Sequence, residues 1–334
     1  MSLKIGINGF GRIGKLVFRL LQEKPDIEIV GINDPANIIT LAHLLKYDSA
    51  HGRFSGTVDI SGNKLIVNKK PIEVYHEQIP ADIPRTMHGA DIVIEASGLF
   101  TTRDQLSQHL TSGAEKVILT CPPKDELDKT IIIGINEDTI TSNDRIISNA
   151  SCTANCAAPL LKIVHDNFGI ERIFMNTVHP ATNNQRLIDA PHPDLRRSRT
   201  ALTNIIPTTS TAIPLIKKLM PFLNDCFDGL ATRVPVDDGS LIEFAIVVKK
   251  NTNADEVNHS FRQASIGVYK GIVEYTSDPI VSGDIIGNPH SAIFDSRCTK
   301  VLKDNFIQII GWYDNEYGYS SRVVDLIGLM KKFL

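Results

Sequence analysis

The feature that most constrains the fold of this chain is a GxGxxG run near its N-terminus, GFGRIG at residues 9–14. It directly follows a short apolar run, LKIGIN at 3–8, and opens a helical pattern from about Arg12 to Gln22. Glycines at this spacing let backbone N–H groups and a helix N-terminus approach a pyrophosphate. Because the run lies between a predicted strand and a predicted helix, it indicates a dinucleotide-binding turn.

An acidic residue follows the second predicted strand, IEIVGIN at 27–33. Asp34 lies twenty positions after Gly14 (34 − 14), where a carboxylate can accept hydrogen bonds from an adenosine ribose. Because that carboxylate would repel a 2′-phosphate, NAD is favoured over NADP. The alternative is a tight turn followed by a surface aspartate, and the strand, glycines and acid in register disfavour it.

Strands and helices alternate along the first 150 residues, which is typical of parallel βαβ units. The predicted strands there are 3–8, 27–33, 91–98 and 116–122, with a helix-like stretch at IITLAHLLKYD. A strand end, a turn and an amphipathic helix follow at 146–169. Longer strand candidates after residue 170, such as RIFMNTVHP, GLATRVPV, LIEFAIVVKK and NFIQIIGWYD, favour a mostly antiparallel sheet.

With 334 residues, the chain is long for one core and suggests two domains. We predict an α/β fold in which a Rossmann doubly wound parallel sheet at 1–150 binds NAD. An α+β catalytic domain with a mostly antiparallel sheet is expected at 151–315. A terminal helix at 316–334 is expected to pack back on the first domain.

Composition limits the kinds of molecule that this chain is expected to bind. A formal net charge of −3 argues against nucleic acid or an anionic membrane. No apolar run approaches the roughly 20 residues that span a bilayer, and the first residues show no signal-peptide pattern. Five cysteines argue against a disulfide framework and favour a reducing cytoplasm. Cys121, Cys226 and Cys298 lack metal-ligand spacing, so no metal site is predicted.

The candidates for covalent chemistry are a cysteine and a histidine. Cys152, in SCTANC at 151–156, starts the predicted helix, and a helix N-terminus lowers the pKa of a thiol. His179 ends a predicted strand, where an imidazole could pair with a thiolate and shuttle a proton. Each residue alone has a structural alternative, either a buried apolar cysteine or a hydrogen-bonded histidine. Cys156, one turn later, is expected to pack inward.

Taken together, six segments resemble the phosphorylating glyceraldehyde-3-phosphate dehydrogenase family over essentially the whole chain. They are INGFGRIG (7–14), KYDSAHGRF (46–54), SNASCTANCAAP (148–159), DAPHPDLRR (189–197), RVP (233–235) and WYDNEYGYSSRVVDL (312–326). The cysteine segment and the WYDNEYGY segment are the most specific of them. Erythrose-4-phosphate dehydrogenase has the same scaffold and most of these motifs. The resemblance therefore implies the type of reaction more firmly than it implies which substrate is used.

The resemblance implies a role for each matched residue. Cys152 would be the nucleophile, His179 the general base and acid, and Asn315 the residue that fixes the nicotinamide carboxamide. The cofactor-binding set implied in this way is Gly9, Gly11, Arg12, Ile13, Asp34, Ser97, Cys121 and Asn315. Thr182 and Arg233 match the site for the substrate's phosphate; Ser151, Thr153, Arg197, Ser210 and Thr211 match the region that receives inorganic phosphate. A homotetramer is also implied, with the 180–205 loop near subunit contacts.

The leading hypothesis is oxidation of glyceraldehyde 3-phosphate with NAD and inorganic phosphate to 1,3-bisphosphoglycerate, through a Cys152 thioester. Several positions depart from the family pattern; among them, Ala154 replaces a threonine, and Ser210-Thr211 replaces Thr-Gly. A β-branched residue in place of glycine disfavours positive φ and adds bulk. One alternative is therefore a dehydrogenase for erythrose 4-phosphate or another phosphorylated aldehyde that releases the acid by hydrolysis. Another is a non-catalytic paralogue that binds NAD or a partner protein.

Overall fold

Residues 2–84 and 87–334 are described by a computed structural model of this chain. They divide into two units. The first contains residues up to 131, 137–151 and 320–334, and the second contains 132–136 and 152–319. Each unit is built around one large sheet.

The first unit contains a nine-stranded sheet whose central strand precedes the glycine turn. Its strands are β1 (Leu3–Asn8), β2 (Ile27–Asn33), β3 (Val58–Ser61), β4 (Lys64–Val67), β5 (Lys70–Tyr75), β6 (Ile92–Glu95), β7 (Lys116–Leu119), β8 (Lys129–Thr130) and β9 (Ile146–Ser148). Its first helices are α1 (Arg12–Leu21), α2 (Ile38–Lys46) and α3 (Arg103–Thr111).

The strand order β3-β4-β5-β2-β1-β6-β7-β9-β8 places β1 between β2 and β6. Both neighbours pair with β1 in parallel, and parallel pairing continues from β5 to β8. Only β3 and β4 attach antiparallel. The predicted Rossmann-type sheet is therefore confirmed, and its strand order reverses at β1, where ligands bind in such sheets.

The second unit contains an eight-stranded sheet with helices packed on it. Its strands are β10 (Ile170–Pro180), β11 (Ile206–Thr208), β12 (Phe227–Val234), β13 (Ser240–Val248), β14 (Val273–Thr276), β15 (Ala292–Asp295), β16 (Lys300–Leu302) and β17 (Phe306–Tyr313). Its helices are α4 (Cys152–Phe168), α5 (Ala212–Leu219) and α6 (Ala254–Ile266), and α7 (Tyr317–Met330) is the last helix of the chain. Two strand pairs, β10–β12 and β14–β15, are parallel and the rest antiparallel, which confirms the prediction of a mostly antiparallel sheet.

Burial explains why α4 is the core helix of this unit. Ala154, Cys156, Leu160 and Leu161 are fully buried, and the helix packs against β13, β15 and β17. Cys156 therefore packs inward, as predicted. The sequence of α4 is apolar on most of its surface, which is typical of a helix buried on several sides.

Two further features concern the whole described chain. Among the described residues, no helix combines the length and the apolar character needed to cross a membrane. All five cysteines are free thiols.

Two glycines on helices of the first unit should respond in opposite ways to alanine. A Cβ on Gly14 would lie 2.1 Å from the carbonyl oxygen of Gly9, so Gly14→Ala should lower the free energy of unfolding by about 1–3 kcal/mol. A Cβ on Gly328, in α7, would meet no atom within 4 Å. Gly328→Ala should raise the free energy of unfolding by about 0.5–1 kcal/mol, because alanine is the better helix former. Urea unfolding followed by circular dichroism measures both, and effects of the same sign would contradict the assignment of the turn.

Candidate active site

The glycine turn of the first unit depends on a close approach between two backbone segments. Gly9 has φ of +91°, and a Cβ there would lie 2.3 Å from the backbone nitrogen of Ser97. Only glycine fits this position, because any side chain would meet that backbone. A Cβ on Gly11, at the N-cap of α1, would instead project into open space. The N-terminus of α1 is therefore open to a phosphate group.

Asp34 and Arg12 lie beside this turn. Asp34 accepts hydrogen bonds from the backbone N–H groups of Phe10 (2.8 Å) and Ala36 (2.9 Å). A carboxylate has about four acceptor positions, so Asp34 can still accept ribose hydroxyls. Arg12 is the first residue of α1 and pairs with Asp48, whose pKa lies well below its usual range. Burial of Asp48 opposes that lowering, but hydrogen bonds from His51 and Arg12 outweigh it.

Ser97 is held by hydrogen bonds to a buried carboxylate that was not predicted from the sequence. Glu95, at the end of β6, is fully buried and accepts hydrogen bonds from Asn8 (2.6 Å), His109 (2.9 Å) and the Ser97 hydroxyl (2.5 Å). These partners come from β1, α3 and the loop after β6, which are separate segments of the chain. No single sequence motif therefore predicts this hydrogen-bond network. The network fixes the loop that packs against Gly9.

Cys121 and Ser151 are the remaining predicted site residues of the first unit. Burial and the nearby charge of Glu95 raise the pKa of Cys121 to about 12, so it stays a neutral thiol. Its carbonyl oxygen accepts a hydrogen bond from Ser148 (2.7 Å). Ser151 is half-buried and directly precedes α4.

Cys152 is the first residue of α4, and a strained backbone position lies two residues before it. Ala150 is fully buried and has φ of +59°, a left-handed conformation that costs free energy for any residue except glycine. In the second unit, Cys152 Sγ lies 3.5 Å from His179 Nε2. The structure thus brings together the two residues proposed for covalent chemistry.

The electrostatics of this pair differ from the prediction. Burial raises the pKa of the Cys152 thiol, while the Arg233 charge and a hydrogen bond from Thr153 lower it. The expectation of a net lowering from the helix N-terminus is therefore corrected, because desolvation of the thiolate dominates. Burial and Arg233 also lower the pKa of His179 to about 3, so its imidazole is neutral at pH 7 and can accept a proton.

Arg233 lies against His179 because β12 and β10 pair in parallel with these two residues in register. Arg233 Nη1 is 2.6 Å from His179 Nδ1 and donates to the Pro180 carbonyl oxygen (3.0 Å). Its Nε is buried and has no hydrogen-bond partner among the described residues. Thr182, two residues beyond Pro180, donates from its N–H (2.8 Å) and its hydroxyl (3.2 Å) to the side chain of Gln185.

A buried hydroxyl cluster that the sequence analysis also missed lies next to Cys152. Tyr313 Oη is 3.0 Å from Thr153 Oγ1 and 2.9 Å from Thr177 Oγ1. Thr153 Oγ1 is in turn 4.0 Å from Cys152 Sγ. Tyr313 belongs to the WYDNEYGY segment. The family resemblance identified that segment, but it did not predict the hydrogen-bond partners of Tyr313.

Arg197 lies beside the segment that departs from the family pattern. Its guanidinium donates to Thr208 Oγ1 (2.8 Å) and to the Thr209 carbonyl oxygen (3.2 Å). Ser210 Oγ accepts a hydrogen bond from the N–H of Ala212 (3.3 Å). Thr211 is exposed at the start of α5, with φ of −73° and ψ of −11°. The backbone there does not require the positive φ that glycine would allow.

Asn315 is nearly buried in the second unit, and its side chain has a defined partner. The Ser240 hydroxyl donates to Asn315 Oδ1 (2.7 Å), and Ser240 is fully buried. Asn315 Nδ2 has no hydrogen-bond partner among the described residues. The amide therefore keeps an available donor.

The chain is similar to one enzyme family along nearly its full length. The family model "Glyceraldehyde 3-phosphate dehydrogenase, NAD binding domain" matches residues 3–103, and "Glyceraldehyde 3-phosphate dehydrogenase, C-terminal domain" matches 151–315. Glyceraldehyde-3-phosphate dehydrogenase 2 of Streptomyces avermitilis is 47% identical over 98% of each chain. Glyceraldehyde-3-phosphate dehydrogenase 1 of Bacillus subtilis is 45% identical over 99% of each, and the Streptomyces coelicolor enzyme is 48% identical over 98% of each.

Thr153→Val tests the hydroxyl beside Cys152. Because the hydrogen bond from Thr153 lowers the thiol pKa, its removal raises that pKa. Alkylation of Cys152 by iodoacetamide at pH 7 should then slow by roughly two- to tenfold. The thiolate is the reactive form, so the deficit is full below the wild-type pKa and vanishes once the pH exceeds both pKa values.

The matched control for this variant is Thr153→Ser, which keeps the hydroxyl and should react at the wild-type rate. Peptide mass spectrometry assigns the label to Cys152. A Thr153→Val protein with the wild-type pH profile would show that the hydroxyl does not act on the thiol.

Proposed function

The chain belongs to the glyceraldehyde-3-phosphate dehydrogenase family, and we propose that it oxidises glyceraldehyde 3-phosphate with NAD and inorganic phosphate to 1,3-bisphosphoglycerate. The observation that carries this proposal is the 3.5 Å contact between Cys152 Sγ and His179 Nε2. A nucleophile and a base at this separation are what covalent oxidation of an aldehyde requires. The same contact argues against a paralogue that has lost catalysis.

The first unit has the features that NAD requires. The Gly9 backbone admits no side chain, Gly11 faces open space, and the Asp34 carboxylate keeps acceptor capacity. The residues that would hold NAD are Gly9, Gly11, Arg12, Ile13, Asp34, Ser97, Cys121 and Asn315. When bound, NAD supplies a hydride acceptor.

The covalent steps are assigned to Cys152 and His179. His179 Nε2 takes the proton of the Cys152 thiol, the thiolate Sγ forms a bond to the aldehyde carbon, and His179 returns the proton to the carbonyl oxygen to give a hemithioacetal. His179 Nε2 would then accept the hydroxyl proton as the C–H bond breaks, and NAD, when bound, would supply the acceptor for the hydride. The product is a thioester on Cys152. A phosphate oxygen attacks its carbonyl carbon, the C–S bond breaks, and the Cys152 thiolate is restored.

Two arginines of the second unit suit the anionic reactants. The buried Nε of Arg233 has no partner among the described residues, and a phosphate oxygen would satisfy it. We assign Arg233 and Thr182 to the substrate's phosphate. The assignment for inorganic phosphate is Ser151, Thr153, Arg197, Ser210 and Thr211. Burial, with the added charge of Arg197, lowers the pKa of Arg233, which indicates that the two cations lie within electrostatic range of each other.

The conformation of Thr211 favours phosphate over water as the acyl acceptor. The hydrolytic alternative depended on crowding by a β-branched residue in place of glycine. Thr211 has ordinary helical dihedral angles and an exposed side chain at the start of α5, and Arg197 reaches the preceding Thr209. The helix N-terminus and the arginine both attract an anion there.

We also propose a homotetramer in a reducing compartment such as the cytoplasm. Leu187, Ile188 and Leu195, in the 180–205 loop, are 69%, 69% and 80% exposed, and such apolar surface favours subunit contacts. The five free thiols suit a reducing environment. Light scattering on the purified protein should give four times the chain mass of 36.8 kDa, and a monomer would contradict the assembly.

Phosphate dependence tests the reaction directly. With glyceraldehyde 3-phosphate and NAD, sustained NADH formation should require inorganic phosphate, because the thioester otherwise keeps Cys152 occupied. Without phosphate, the yield should stop near one NADH per active site. Cys152→Ser should form no NADH while still binding NAD. Equal steady rates with and without phosphate, or a kcat/KM that favours erythrose 4-phosphate, would support the hydrolytic alternative.

A further inference from the structure

The orientation of the Asn315 side chain is set by one buried hydroxyl. An asparagine amide offers an acceptor on one side and a donor on the other, and the two orientations have nearly the same shape. Here Oδ1 faces the Ser240 hydroxyl at 2.7 Å. Asn315 Nδ2 is left as the available donor.

The opposite orientation would leave a buried donor without a partner. Ser240 is fully buried, and its hydroxyl makes no other hydrogen bond among the described residues. If the amide turned over, Nδ2 could donate to Ser240 Oγ, but the hydroxyl proton would lose its acceptor. Burying an unpaired donor is unfavourable, so the observed orientation is selected.

The backbone of Asn315 is fixed independently of its side chain. The Asp314 carboxylate accepts hydrogen bonds from the N–H groups of Glu316 (2.9 Å), Tyr317 (2.6 Å) and Gly287 (2.7 Å). Ser240 opens β13 in register with Tyr313 at the end of β17, which brings its hydroxyl to Asn315. Ser240 therefore decides which end of the amide is presented, and Asp314 decides where the amide lies.

We propose that Ser240 is a positioning residue for hydride transfer: it fixes Asn315 with Nδ2 as a donor to the carboxamide oxygen of the nicotinamide, and so selects the ring face that accepts the hydride. This inference rests on the proposed role of Asn315 in binding the carboxamide. With Oδ1 presented instead, the amide would pair with the carboxamide N–H. The carboxamide or the whole ring would then have to turn.

A double-mutant cycle separates positioning from general packing. Ser240→Ala should slow the first-turnover hydride transfer by about tenfold, the loss expected for one buried hydrogen bond, with a smaller change in the KM for NAD. It should also allow measurable transfer to the opposite face, detected with deuterium-labelled aldehyde and analysis of the NADH formed. In the Asn315→Ala background, Ser240→Ala should have no further effect, because Ser240 acts through Asn315.

Ser291 provides the matched control. It is also nearly buried, in the same unit, and its hydroxyl has no hydrogen-bond partner among the described residues. Ser291→Ala should leave hydride transfer and stereochemistry unchanged. A loss equal to that of Ser240→Ala would overturn the proposal, as would additive effects of Ser240→Ala and Asn315→Ala.

The wild-type protein gives a test that needs no variant to fold. The 3-acetylpyridine analogue of NAD keeps the carbonyl oxygen and lacks the carboxamide N–H donors. It should be reduced with the same face selectivity as NAD, since only the acceptor is needed. Loss of that selectivity would overturn the proposal.

The outcomes also distinguish this inference from the proposed function. If Asn315→Ala transfers hydride like the wild type, the proposed role of Asn315 fails, and the inference fails with it. If Asn315→Ala is impaired while Ser240→Ala is not, only the role of Ser240 fails.

Discussion

The site depends on the contact between Cys152 and His179, and several backbone features make that contact possible. Ala150 adopts a left-handed conformation two residues before α4, although a glycine would adopt it at lower cost. The helix then begins at Cys152 and packs along the sheet of the second unit. His179 lies near the end of β10 in that sheet, so its ring can reach the sulfur at the helix N-terminus.

Burial and charge act in opposite directions at this pair. Desolvation disfavours both the thiolate and the imidazolium, and it keeps His179 neutral and able to accept a proton. Arg233 favours the thiolate and disfavours the imidazolium, because a cation stabilises a nearby anion and repels a nearby cation. The buried Nε of the same guanidinium has no hydrogen-bond partner within the described part of the chain. This is the basis of our proposal that Arg233 binds the phosphate of the substrate.

The sequence predicted features whose signal is local. β1 and β2 match their predicted bounds, and α1 ends within one residue, because the alternation, the glycine turn and the apolar periodicity are contained in short segments. The short strands β3 to β5 and helix α3 were not predicted. Helix α3 begins with a capping box between Thr102 and Gln105, which is a local sequence signal for a helix N-terminus.

The same distinction applies to the candidate site: features within one segment could be predicted from the sequence, whereas contacts between distant segments could not. Cys152 and His179 were identified by motif and family resemblance, whereas their pKa values depend on burial that no motif encodes. The Thr153–Tyr313 and Ser240–Asn315 hydrogen bonds join residues 160 and 75 positions apart. Such pairs follow from strand register, so they became visible only with the fold.

The most direct test of covalent catalysis by Cys152 is to isolate its acyl-enzyme. The protein would be mixed with glyceraldehyde 3-phosphate and NAD without phosphate, quenched in acid, and analysed by peptide mass spectrometry. We expect the phosphoglyceroyl adduct on the peptide containing Cys152, and its release as an acyl phosphate when inorganic phosphate is added before the quench. NADH formation with no adduct on Cys152, or an adduct that phosphate does not discharge, would contradict the mechanism.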